Sequence, residues 1–458
     1  MLSSDLQKIS EQFPEYKRQV DKHYRWNFLF LLFDTSFFSF SLAFLSVDTI
    51  LPYFVANLTD QRVWIGVVSS LYFWGFYFPQ IIGAYLVSGK STRKKTIFWI
   101  ALTERIGILL IALLASSLDL ISKPVALGLF LFSYAIFAIT NGLIGPAYAD
   151  FVSKTINKNR GQFYGFTNGL SGLIGFGASL LASHFLDLYS FPTNLRYLFW
   201  IGFFASFISP MLILQFRETP FPVERARENL GAFIRKIPAM LVEFPIFVRF
   251  LVCRSFISLG LMSNSFFALY AVNRFGLTEG MVGTFTMVIL LTQSALGFVW
   301  GRVGDKVGFK RVYVLAAGLL VMQTSLAILV DAPWVYYIIV FGIGGVYAAN
   351  RTSDANFVFE IAPPAETSRF IGVSNTLLSP VLAASPLIGG MLVDKFSFMT
   401  LFTVNLVISI AALMITIFWL PEPRKAGGGA VATMIPAPAY SVVEEGELHS
   451  RSAESPKN

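Results

Sequence analysis

Twelve stretches of the chain hold about 20 or more mostly apolar residues with very few charges, the length an α-helix needs to cross the hydrocarbon core of a bilayer. They run approximately over 26–51, 64–85, 96–115, 125–149, 162–186, 196–216, 246–272, 282–300, 312–330, 335–355, 370–393 and 400–420. Polar residues gather in the segments between them. The pattern predicts an all-α polytopic membrane protein with twelve transmembrane helices. The polar leader, 1–25, has no short apolar core followed by a small-residue cleavage site, so it reads as a retained tail.

Charge then orients the chain, because Lys and Arg concentrate on the cytoplasmic side of membrane proteins. The N-terminal tail, the loops after the even-numbered spans and the C-terminal tail hold 28 of them. The loops after the odd-numbered spans hold 5, while Arg105 and Arg254 fall inside spans. Arg451 and Lys457 lie too far from any span to count, and without them the ratio is still 26 to 5. Both termini are therefore expected in the cytoplasm, with the chain in the cell membrane and surrounded by bilayer lipid.

The longest internal segment, 217–245, interleaves Glu224, Arg225, Arg227, Glu228, Arg235 and Lys236 with Ala226, Leu230, Phe233, Ile237 and Leu241. That spacing suits an amphipathic helix lying on the cytoplasmic surface. It divides the chain into a six-helix bundle over 26–216 and a second over 246–420. The tail over 421–458, with Gly427-Gly428-Gly429 followed by Pro, Ser and Glu, has the composition of a disordered segment. Six is even, so the halves share one orientation, and a repeat would relate them by an axis along the membrane normal. Landmarks do recur. Asn141, Asp150, Arg160, Gly165 and Asn168 correspond to Asn350, Glu360, Arg369, Gly372 and Asn375, at separations of 209, 210, 209, 207 and 207 residues.

Composition narrows the function. Of 458 residues 55% are apolar and 14% charged, which excludes an ordinary soluble enzyme. The net charge of +8 is spread over short loops, so no basic face is available for nucleic acid. The single cysteine, Cys253, rules out an internal disulfide, and the three histidines form no cluster for a metal or a catalytic base. No phosphate-cradling glycine loop ending in Lys-Ser or Lys-Thr is present, so the energy for any transport has to come from a gradient. No cofactor is expected.

Between spans 8 and 9 stands Gly301-Arg302-Val303-Gly304-Asp305-Lys306-Val307-Gly308-Phe309-Lys310-Arg311. This resembles the cytoplasmic loop signature of the major facilitator superfamily: a glycine, an acid four residues on, a base, a glycine and a closing basic pair. With the six-plus-six division, the resemblance covers about 26–420. It implies two bundles around a central cavity that opens alternately to either side, lined by spans 1, 4, 7 and 10. Gly301 and Gly308 permit tight turns, and Lys310 and Arg311 anchor at the headgroups. The resemblance directs Asp305 to the positive N-terminal end of span 5, near Gly161 and Gln162, as a latch on the cytoplasmic gate beside Lys306. The matching stretch of the first half, Gly83 to Lys95, departs from the pattern, with Val87 and Ser88 where the acid and its neighbour would stand. One electrostatic latch is then expected instead of two. Residues 150–165 look like the superfamily's second cytoplasmic signature. Pro386-Leu387-Ile388-Gly389-Gly390 resembles part of an exporter motif but lies in span 11, not span 5, so it fixes no direction.

Ionisable residues inside spans are functional candidates. Asp34, Glu104, Arg105 and Arg254 all lie roughly 12 to 14 Å from the cytoplasmic end of their spans at 1.5 Å per residue. Glu104 and Arg105 suit a packing role with partners on adjacent helices. Asp34 and Arg254, on cavity-lining spans, suit a site whose attraction changes with protonation or substrate occupancy, with Asp34 the titrating group. Asn141 and Asn350 occupy matching positions in spans 4 and 10, where their amides can bond a polar substrate or a neighbouring helix. Asn168 and Asn375 read as interhelical, and Tyr72, Trp74 and Tyr77 as candidates for the cavity wall. The resulting expectation is a monomeric secondary active transporter of a small molecule, coupled to H+, with uniport or a non-transporting receptor on the same fold as alternatives.

Overall fold

The computed structural model describes residues 12–87, 90–156, 160–222, 230–235, 237–362 and 367–423. These residues form helices joined by short turns. Span 1 is α1 (Pro14–Ala43) followed by α2 (Ile50–Leu58), and span 2 is α3 (Val63–Tyr77) followed by α4 (Gln80–Val87). Spans 3 to 6 are α5 (Lys94–Ser116), α6 (Lys123–Thr155), α7 (Arg160–Leu188) and α8 (Thr193–Ile213). The segment between the halves contains α9 (Leu230–Arg235) and α10 (Ile237–Glu243), two short helices where one was expected; Glu224, Arg225, Arg227 and Glu228 lie outside the described residues. Span 7 is α11 (Pro245–Leu259) followed by α12 (Asn264–Phe275). Spans 8 to 12 are α13 (Gly280–Val307), α14 (Phe309–Leu329), α15 (Val335–Ile361), α16 (Thr367–Lys395) and α17 (Phe398–Phe418).

Eleven of these spans are long and apolar enough to cross a membrane by composition alone. The twelfth, α15, has 27 residues but carries Asn350, Arg351, Asp354, Asn356 and Glu360, polar groups tolerable at that depth only inside protein or beside water. It packs between spans 8 and 9, which supply that shelter.

Two boundaries differ from the apolar pattern. The first helix starts at Pro14, whose missing N–H costs nothing in the first turn, so the polar residues to 25 extend span 1 instead of preceding it. Span 10 runs on to Ile361, six residues past its expected end at 355.

Spans 1 and 7 are both broken near their middles, at 44–49 and at 260–263. Ser46 and Ser263, inside the breaks, are 217 residues apart, the internal repeat expressed as backbone shape. Ser, Asp and Thr compete with helical hydrogen bonding through their own side chains, and Thr49 Oγ1 donates to Ser46 Oγ at 2.7 Å within the first break. Interrupted helices at matching positions of two halves are where transporters of this general build place their sites.

Within the first half, span 3 packs on spans 4 and 6 and span 1 on spans 5 and 6; within the second, span 9 packs on spans 10 and 12 and span 7 on spans 11 and 12. The halves meet along spans 2 and 11 and along spans 5 and 8. Glycine lets those backbones come close. A Cβ on Gly66 would collide with the carbonyl oxygen of Pro386, and one on Gly390 would lie 2.7 Å from the Val63 Cα.

The face bearing most of the Lys and Arg residues is built from tight connections. Gly308, at φ +94°, is the only residue between α13 and α14. Lys310 Nζ donates to the Ile417 carbonyl at 2.9 Å, a cation on the end of α17. Glu218, beyond α8, accepts from the backbone N–H groups of Arg93 at 2.7 Å and Lys94 at 2.9 Å and so caps α5.

Candidate functional site

The buried charges form two separate polar centres, one in each half. In the first, Arg105 of α5 pairs with the neighbouring Glu104 carboxylate, donates to the Ser206 carbonyl at 3.0 Å and to Ser209 Oγ at 2.8 Å, and lies 4.9 Å from the Phe38 ring centroid. Asn141 of α6 donates to Glu104 Oε1 at 2.8 Å. Asp34 of α1 accepts from Ser209 Oγ and, at 2.7 Å, from Tyr148 of α6. Spans 1, 3, 4 and 6 are thereby tied together by one network. Its charges are closely paired and hydrogen-bonded, the condition under which ions survive burial.

The second centre is smaller. Arg254 of α11 pairs with Asp354 of α15, whose other oxygen accepts from the Tyr313 hydroxyl at 2.6 Å. The Tyr77 hydroxyl, from span 2 of the other half, stands beside Arg254. Asp34 and Arg254 therefore do not meet: each has its main charged or hydrogen-bonded partner in its own half, and the expected Asp34–Arg254 pair is replaced by Asp34–Ser209 and Arg254–Asp354. Asn350, the counterpart of Asn141, keeps a buried Oδ1 without a hydrogen-bond partner among the described residues.

Three ionisable residues within spans were missed from sequence: Asp48, Arg351 and Asp354. Asp48 lies in the break of span 1, where an apolar count sees only the end of a helix. Its carboxylate accepts from the Tyr347 hydroxyl of span 10 at 3.0 Å, its one hydrogen-bond partner among the described residues. Tyr347 also approaches Asn264, which accepts from Gln323 at 3.1 Å, continuing the chain of polar groups into the second half. Arg351 and Asp354 follow Tyr347 on one face of α15, four and seven residues on. The positive-inside count had assigned Arg351 to the cytoplasmic side, but it stands ten residues before the end of α15. Tyr72 of span 2 is its electrostatic neighbour, and no carboxylate pairs with it among the described residues. Trp74, by contrast, is exposed and stacks on Phe78 at 5.0 Å, away from this wall.

On the side away from the basic loops the halves are fastened by paired contacts. Thr49, in the break of span 1, bonds Thr286 of span 8; Ser265, beside the break of span 7, bonds Ser69 of span 2 at 2.8 Å. Ser69 and Thr286 are again 217 residues apart. Closer to the surface, Asp394 accepts from the backbone N–H groups of Arg62 at 2.6 Å and Val63 at 2.7 Å, and Asp187 accepts from Gly280 N–H at 2.9 Å. Nearer the basic face, Asn375 donates to Gln80 at 2.8 Å, an interhelical contact as expected. Asn168 is exposed on α7.

In the loop signature, Gly304 packs under the Phe309 ring, Gly301 lies near Thr352, and Asp305, Lys306 and Arg311 are exposed. The side chains of 160–162, where the expected partner of Asp305 sits, lie outside the described residues.

Comparison with known proteins agrees with this architecture. Residues 250–441 match the family model described as Major Facilitator Superfamily. The riboflavin transporter RibZ of Clostridioides difficile (strain 630) is 26% identical over 141 residues, a stretch spanning 29% of this chain and 29% of that protein. Among solved structures, a D-xylose-proton symporter superposes with a TM-score of 0.66 at 16% identity, covering 88% of this chain and 99% of its own. The nucleoside transporter NupG superposes with a TM-score of 0.63 at 15% identity, covering 85% of this chain and 97% of its own. At such identities the likeness is one of fold.

Proposed function

We propose, for a chain whose residues 250–441 match the Major Facilitator Superfamily model and whose fold resembles that of solved transporters over most of its length, secondary active transport of a small molecule by alternating access, coupled to H+. The observation that carries this reading is the Asp48–Tyr347 contact. It joins the two halves, and its acceptor is a carboxylate with no cation bonded to it among the described residues. An ionised carboxylate accepts a stronger hydrogen bond than a neutral one. Protonation of Asp48 therefore loosens a bond that holds the halves together, which is the link a coupled carrier needs between a proton and a conformational change. Asp34 is less suited to this role, since its partners Ser209 and Tyr148 lie in its own half and move with it.

The orientation follows from the charge rule, with both termini in the cytoplasm and the bundles over 26–216 and 246–420 rocking about the shared pocket. The contacts at Asp187, Asp394, Thr49 and Ser265 then close the outer side, and the pocket opens to the cytoplasm. The identity of the curated relative makes flavins reasonable members of a first substrate screen.

Reconstitution into proteoliposomes tests the reading. A pH gradient should drive accumulation in the wild type, and Asp48→Asn should abolish that accumulation while exchange persists. Equilibration without accumulation in the wild type would mean uniport, and binding without flux a receptor.

A further inference from the structure

We propose that the transported solute is a small organic anion whose acidic group docks on Arg351, with its body against Tyr72 of the opposite half. This rests on the transport reading and names the class of solute that reading leaves open.

The position of Arg351 is fixed by its neighbours on α15. Four residues earlier, Tyr347 reaches across to Asp48 of the first half. Three residues later, Asp354 pairs with Arg254 and accepts from Tyr313. The first of these contacts marks the face of the helix turned toward the other half, and Arg351, one turn on, follows it there, with Tyr72 of the opposite half as its electrostatic neighbour. Its side chain is exposed, although it stands ten residues from the helix end, about 15 Å at 1.5 Å per residue. A guanidinium that deep does not lie against hydrocarbon, because the cost is several kcal/mol or more. It faces the gap between the halves, across from Tyr72.

Charge makes the residue unusual among the cations within spans. Arg105 has Glu104 and Arg254 has Asp354. Among the described residues Arg351 has no carboxylate, and the acid nearest along its helix, Asp354, is committed to Arg254. An unpaired guanidinium in a cleft with low-dielectric walls concentrates anions, and its planar fork matches the two oxygens of a carboxylate or phosphate. The wall opposite is aromatic: Tyr72 stacks on Phe76 at 5.9 Å with planes 10° apart, an apolar surface for a flat or hydrocarbon body.

The test uses purified full-length protein and matched pairs of probes differing in charge: benzoate and benzamide, nicotinate and nicotinamide, phenyl phosphate and phenol. Thermal unfolding is followed against probe concentration. At least one acid should raise the melting temperature, its neutral partner should not, and Arg351→Gln should weaken the acid by roughly ten-fold or more. Arg351→Lys, which keeps the charge and the fold but loses the fork, should retain part of the effect. Neutral partners equal to the acids, no response to any acid, or an unchanged response in Arg351→Gln would each overturn the proposal. Labelling of cysteines on the two faces reads the transport proposal separately. Accessibility that never alternates defeats transport while leaving anion binding intact, and alternation without acid selectivity defeats only the anion.

Discussion

Asp187 and Asp394 lie 207 residues apart and do the same work on opposite seams: each ends a helix of one half and caps the first turn of a helix in the other. The positive end of a helix and its free N–H groups favour a carboxylate there. The repeat that was faint as a run of similar residues is therefore plain as a pair of latches. Sequence analysis expected a single acidic latch, Asp305, on the cytoplasmic side; these two sit on the other face and were not anticipated.

Neutralising the latches should shift the conformational balance. Each cap contributes about 0.5–2 kcal/mol relative to alanine, so Asp187→Ala or Asp394→Ala should raise the outward-open population several-fold, and the double variant roughly by the product. Spin labels at residues 60 and 278 would report it as growth of the longer distances. An unchanged distribution in the double variant would mean the caps do not govern closure.

Sterics at the same seam give an independent handle. Gly66 admits no Cβ without a clash with Pro386, so Gly66→Val should hold the outer seam apart and stop transport while the protein remains folded. Gly128→Ala, where a Cβ meets nothing within 4 Å, is the control and should leave flux unchanged. Retained transport in Gly66→Val, with an unaltered spin-label distance, would show that the seam can relax.

Arg105 carries the stability of the first half. It is buried, as is Glu104, and Arg105→Met strands Glu104 and weakens the tie through Ser209 to Asp34. Removing one partner of a buried pair costs about 3–5 kcal/mol, and much of that should return in Arg105→Met with Glu104→Gln. Thermal melts of the wild type and the two variants would check it; a double variant as unstable as the single would assign the loss to packing against Phe38.

Glu218 ties folding to pH. Burial lifts its carboxyl above the ordinary 4.5, outweighing the two N–H donors and the nearby cations Arg93 and Lys154. Between 4.5 and the lifted value the folded chain binds the proton more tightly than the unfolded chain, so this group's contribution to stability falls as pH rises through that interval. Glu218→Gln should flatten that part of the melting-temperature profile, and an identical profile in the variant would mean that another group sets it.

Much of the fold was legible because bilayer thickness imposes a length and a composition on each span. Span 10 is instructive: its outer portion is apolar enough to be found, but the polar residues from Asn350 on blur its end, which falls at 361 and not at 355, and in the charge count Arg351 goes with the cytoplasmic residues. The same ambiguity hid Arg351 from the site. Asp48 was hidden by a different cause, since hydropathy averages over a window and cannot see that a helix stops for six residues in mid-membrane. Asp34 and Arg254 were found by depth, but depth fixes only a height. Helix rotation decided that they turn to Ser209 and Asp354 instead of to each other, and no spacing in the chain reports rotation about a helix axis.

If Asp48 takes the proton and Arg351 the substrate anion, the two arrive as a neutral pair. A monovalent acid carried with one proton moves no net charge, so uptake into proteoliposomes should depend on the pH gradient and ignore a membrane potential set by potassium and valinomycin. Each elementary charge moved would otherwise contribute about 2.3 kcal/mol per 100 mV, roughly a 50-fold change in the accumulation ratio, which is easily seen. Tyr347→Phe removes the donor that holds Asp48 while leaving the ring, and it should weaken coupling, giving uptake that equilibrates more and accumulates less. Accumulation that follows the membrane potential would instead mean that the charges on Asp48 and Arg351 do not compensate during the cycle.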